Sequence, residues 1–131
     1  MKYKIGNLIK DYIDNSIDRK HIELEIKSEL LQGKKENLDR LNEELNLVEK
    51  KVKIIDDLFI VDTNTNKAPI EAILRDVEWK IVKGIYIDRI GKGPKDVGTK
   101  LGIEVKSHCY FKTCAFKKLN EIEVELNWRT T

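Results

Sequence analysis

Apolar residues first recur at Ile5, Leu8, Ile9, Tyr12 and Ile13, spaced by three and four, which is the period of a short amphipathic helix. Asp14-Asn15-Ser16 are turn and capping types, so this helix is expected to stop there and a second to begin near Ser16, carried by Ile22, Ile26, Leu30 and Leu31. Gly33, followed by Lys34-Lys35, weakens helix by about 1 kcal/mol relative to alanine without forbidding it. The pattern then sharpens, because Leu38, Leu41, Leu45, Val48, Val52, Ile55 and Phe59 alternate three and four apart as a heptad seam, with Glu43, Glu44, Glu49, Lys50, Lys51 and Lys53 outside it. A single seam serves two arrangements equally well: an antiparallel hairpin folded back on the Ile22 to Leu31 helix, or self-association with a second copy.

Residues 62–67 are polar and aperiodic, and read as a linker. Pro69 is expected to open the next helix, with Ile70, Ile73, Leu74, Val77, Ile81, Val82 and Ile85 as a wide stripe and Trp79 and Tyr86 adding bulk. After a loop over residues 88–93, Gly93-Pro94 opens a short helix that Leu101-Gly102-Ile103 closes, Gly102 supplying the left-handed backbone of a helix end. A last amphipathic run follows, extended in expectation by Ile122, Val124 and Leu126 before residues 127–131 fray. These elements predict an all-α chain: an N-terminal helical hairpin or coiled coil over residues 1–62, a linker over 63–68, and a three-helix domain over 69–131 that contains a helix-turn-helix.

Length changes this picture little, since 131 residues suit one compact domain or a small domain with an extended element. Composition adds that 37% of residues are charged against about 25% in an average chain, which favours exposed helices over a large core. The 7% aromatic share argues against a sheet sandwich or an enclosed cofactor cavity. No apolar run reaches membrane-spanning length and the opening residues lack a signal-peptide pattern, so a cytoplasmic protein with no membrane partner is expected.

A net charge of +2 is uninformative, but its distribution is not. Residues 89–119 carry eight Lys/Arg against only Asp96 and Glu104, while residues 1–62 are slightly acidic. On a helical projection of the last run, His108, Phe111, Ala115, Leu119 and Ile122 share one side and Lys106, Tyr110, Thr113 and Lys117 the opposite one. A tyrosine among lysines is an odd choice for solubility alone. This face is therefore a candidate for reading DNA, with Lys106, Ser107, Tyr110 and Thr113 toward base edges and Lys92, Lys95, Lys100 and Lys117 on phosphates.

Other chemistries fit less well. Gly93 to Lys100 has the glycine spacing of a phosphate-binding loop, but Thr99-Lys100 reverses the Lys-Ser/Thr order and no strand precedes it. His108, Cys109 and Cys114 lack a second pair at metal-ligand spacing, and the two cysteines fall on different faces of one helix. Ser107 and His108 are helix neighbours that diverge, and no orienting carboxylate is specified, so neither an enzyme nor a cofactor is expected.

Asp96-Val97-Gly98, Leu101-Gly102-Ile103 and Ala115-Phe116-Lys117-Lys118-Leu119 resemble the region-four helix-turn-helix of sigma factors, and more specifically the ArpU/RinA/LtrC-type phage regulators of late packaging and lysis genes. Leu8 to Tyr12 and the Glu/Lys-rich region after it are similar too. The resemblance implies a phage or prophage activator that binds double-stranded promoter DNA, with host RNA polymerase, a second copy or another protein as partner of the N-terminal helices. Glu104 departs from the family's usual serine-like cap, which moves the expected start of the recognition helix to Ser107. No counterpart of the promoter-melting region of sigma factors is present, hence an activator in preference to a complete sigma factor. A different class remains open: a coiled-coil adaptor or small-terminase-like packaging protein that uses the same basic helices.

Overall fold

The computed structural model describes residues 1–127. In chain order it contains β1 (Lys2–Lys4), α1 (Ile5–Lys10), α2 (Tyr12–Leu31), α3 (Leu38–Phe59), a 3-10 turn (Pro69–Ala72), α4 (Asp76–Tyr86), α5 (Pro94–Lys100), α6 (His108–Leu119) and β2 (Glu123–Glu125). The fold is all-α apart from one short pair of strands.

The heptad seam is used within the chain. α3 packs along α2 as an antiparallel hairpin, burying Leu41, Val52 and Ile55, half-burying Leu38, Leu45, Val48 and Phe59, and enclosing Leu47, which lies outside the heptad positions. Tyr12 Oη donates to Asp56 Oδ1 at 2.5 Å and ties the base of α2 to α3. Burial and that hydrogen bond to a carboxylate push the Tyr12 phenol up to about 12.

The helix break expected at residues 14–16 falls at Asp11 instead. Ser16 does not cap; its hydroxyl donates to the Tyr12 carbonyl at 2.9 Å inside α2, an alternative open to a serine within a helix. At the far end, Ile22 and Ile26 turn toward α3, whereas Leu30 is exposed next to the turn over residues 32–37 and Leu31 lies on the side of α2 that faces away from α3.

The open end of the hairpin enters a second layer. Ile5, Leu8 and Ile9 of α1 and Ile55 of α3 form one hydrophobic core with Ile70, Leu74, Val82, Ala115, Phe116 and Leu119. Residues 63–66 form a tight loop closed by pairing of Asp62 with Lys67, so the core draws on both sides of this segment.

Two expectations are corrected here. The helix opened by Pro69 is two elements, each with its own N-terminal cap: the Glu71 carboxylate accepts from the Ala68 N–H and starts a four-residue 3-10 turn, and the Glu78 carboxylate accepts from the Arg75 N–H at 2.7 Å and starts a new helix at Asp76. The last helix does not continue through Ile122, Val124 and Leu126. It ends at Leu119, and Glu123–Glu125 runs antiparallel to Lys2–Lys4, with Lys2 opposite Glu125, Tyr3 opposite Val124 and Lys4 opposite Glu123. Unlike charges facing across the strands favour this register. The fraying expected over residues 127–131 lies, from residue 128 on, outside the described residues.

Candidate functional site

α4, α5 and α6 pack against one another, and close approach of their backbones sets the geometry. Gly84 of α4 leaves room for Val97 of α5, and Gly98 of α5 leaves room for the imidazole of His108 at the start of α6; a Cβ at either glycine would overlap its neighbour. The His108 ring is half-buried, its Nε2 2.8 Å from the Ile103 carbonyl oxygen. It acts as the packing wedge between the two helices, as expected for its face.

α5 ends as the glycine predicts. Gly102 has φ +71°, the Ile103 N–H donates to the Gly98 carbonyl at 2.8 Å and the Gly102 N–H to the Thr99 carbonyl at 3.1 Å, which together satisfy the last carbonyls of α5. Residues 101–107 then connect to α6, a longer link than the three to four residues of a minimal helix-turn-helix. Ser107 is the N-cap of α6, its Oγ accepting from the Tyr110 N–H at 3.2 Å.

α6 buries Ala115, Phe116 and Leu119 and leaves Cys109, Tyr110, Thr113 and Lys117 outside. Tyr110 is 59% exposed, its ring edge-on to Phe111 at 5.5 Å, and Phe111 in turn lies under the Arg75 guanidinium. α6 is anchored beneath by Lys118, whose ammonium donates to Glu78 Oε1 at 2.8 Å. Glu78 is fully buried on α4. Burial raises its pKa, but hydrogen bonds from Lys118, the Arg75 N–H and the Arg75 side chain outweigh burial and hold the carboxyl below the ordinary glutamate value.

The predicted contact residues are placed unequally. Lys106, Tyr110, Thr113 and Lys117 are all exposed, Lys106 on the link just before α6. The Thr113 hydroxyl donates to the Cys109 carbonyl at 3.0 Å, so it faces outward as an acceptor. Ser107 is occupied by the cap. Thr113 and Lys117 share a shallow groove of about 470 Å³ with Lys10, Pro94 and Lys112, and Lys95 lies beside Pro94 and Cys109. Lys92 and Lys100 line a different cleft, of about 730 Å³, together with Arg89, Asp14 and Asp96. There the Lys100 ammonium is held by the Ile90 carbonyl at 2.8 Å and by Asp96 at 3.3 Å.

Lys10 borders both depressions, its ammonium 4.7 Å from the Phe116 ring centre. Sequence reasoning missed Lys10, Arg89 and Lys112 as members of this basic surface. Lys112 lies within the basic stretch and was legible in principle; Lys10 reaches α6 only because Gly6 lets α1 approach Asn120 and Phe116.

Among the described residues no cluster of three or more His, Cys, Asp or Glu could hold a metal ion, and no helix is long and apolar enough to cross a membrane. No family model, curated protein or solved structure matches this chain.

Proposed function

We propose that this chain is a phage or prophage transcription regulator of the ArpU/RinA/LtrC type that binds promoter DNA through α5 and α6 as a helix-turn-helix, and that it activates late genes for packaging and lysis in the cytoplasm of the bacterial host. The observation that carries the reading is the outer face of α6, where Tyr110, Thr113 and Lys117 are exposed, Lys106 is exposed just before the helix, and Lys10 and Lys112 share a groove with Thr113 and Lys117. α6 enters the major groove with Lys106, Tyr110 and Thr113 toward base edges, while Lys95, Lys117, Lys10 and Lys112 neutralise phosphates. With lysine in place of arginine on the reading face, single-copy affinity is modest and dominated by the phosphates. The hairpin of α2 and α3 is left for a protein partner, host RNA polymerase among them.

The test is anisotropy titration of the full chain on labelled late-promoter duplexes and on scrambled duplexes across a range of salt. Neutralising about four phosphates, one for each of these lysines (Lys95, Lys117, Lys10 and Lys112), gives a log–log salt slope of about −3.6, and Lys117→Gln reduces it by about one. Lys106→Ala and Tyr110→Ala narrow the preference for promoter over scrambled sequence. No binding to any duplex at low salt sinks the proposal.

A further inference from the structure

α2 is packed on one side only. Its contacts with α3 use the side carrying Asn15, Arg19, Ile22 and Ile26, all half-buried, and none of its 20 residues is buried. On nearly the opposite side Ile17, Leu24 and Leu31 are 47%, 61% and 89% exposed. One exposed leucine needs no explanation, but these three stand seven residues apart. That is the heptad repeat, with Ile17, Leu24 and Leu31 as its apolar line and Asp14, His21 and Ser28 as the polar line beside it. The seam on α3 is consumed by the hairpin, whereas no described residue covers this apolar line on α2.

The flanks of the stripe are charged asymmetrically. Lys20 and Lys27 border it on one side, Asp18 and Glu25 on the other, and among the described residues none of the four takes part in an ion pair. Two copies related by a twofold axis perpendicular to the helices would set lysines against lysines and carboxylates against carboxylates. A twofold axis parallel to the helices brings the basic edge of each copy against the acidic edge of the other, with Lys20 of one copy at the coiled-coil position facing Glu25 of its mate.

We infer that the Ile17–Leu24–Leu31 stripe of α2 is a self-association surface that joins two copies of this chain in parallel through a four-helix stalk. Each α2 leaves the core end at Tyr12, so parallel pairing carries both copies of α6 at the same end of the assembly. The surface stands on the stripe and its flanking charges, and does not depend on the DNA reading.

Sedimentation equilibrium of the full chain tests it. The wild type sediments as two copies at micromolar concentration. Leu24→Glu, at a position open to solvent in a single copy, sediments as one copy with unchanged helical circular dichroism. Glu25→Lys weakens association about tenfold or more, and Lys20→Glu/Glu25→Lys restores it, since only parallel pairing makes those two positions partners. A single-copy mass at every concentration, a ring of many copies, undiminished pairing by Leu24→Glu, or failure of the double exchange to recover what Glu25→Lys loses would each overturn the inference.

Discussion

Lys118 on α6 donates to the wholly buried Glu78 carboxylate on α4, 40 positions away in the chain, at 2.8 Å, while the same carboxylate closes the first turn of its own helix through the Arg75 N–H. One side chain thus starts α4 and locks it to α6. The Lys118 side chain remains 42% exposed, so part of the attraction is screened by water.

The folded Glu78 carboxyl titrates below its ordinary value near 4.5. Its contribution to stability is therefore complete above that value and is lost as pH falls through the lower folded pKa. Urea melts of the wild type should lose stability across this acid window, and Glu78→Gln should flatten that limb. Lys118→Met should cost about 1 kcal/mol at neutral pH, because the carboxylate keeps its Arg75 partners.

Tyr12 has the opposite sign. Its phenol is raised to about 12 from 10.0, so the stability it contributes is present below pH 10 and lost as pH rises toward 12. Alkaline difference spectra should show one tyrosine titrating late. Tyr12→Phe should remove that late step and cost about 1 kcal/mol through the lost bond to Asp56.

Contact between α5 and α6 depends on a missing side chain. Gly98→Val should clash with His108 and destabilise the chain by about 1–3 kcal/mol in thermal or denaturant melts. His108→Ala in the same molecule should recover part of that loss by opening the space. If the double variant is no more stable than Gly98→Val alone, the wedge is not what separates the helices.

Ser107 was a candidate reader of bases, but its oxygen caps α6. Ser107→Ala should lower stability by about 1 kcal/mol, and Ser107→Asp, which can still cap, should restore it. Sequence preference of the Ser107→Asp variant on duplex DNA then separates the two roles, since a pure cap leaves the preference unchanged.

Much of this protein was determined locally. The period of Leu38 to Phe59 specifies an amphipathic α3, Gly102 specifies a left-handed stop after α5, and the alternation of apolar and polar positions separates Ala115 and Leu119 from Tyr110, Thr113 and Lys117 on α6. Even the missed strand left a trace, since Ile122, Val124 and Leu126 are spaced by two, and two is the period of a strand.

What periodicity cannot contain is which face meets which. The α3 seam suited a hairpin or a second copy equally, and the hairpin formed because α2 is held beside it by the turn over residues 32–37 and by Tyr12 on Asp56. Glu78 offers no local sign that its partner is Lys118, nor Lys10 that it will border α6. Those relationships exist only once α1, α4 and α6 share one core, because burial and charge pairing depend on distance in space, while the sequence orders residues by distance along the chain.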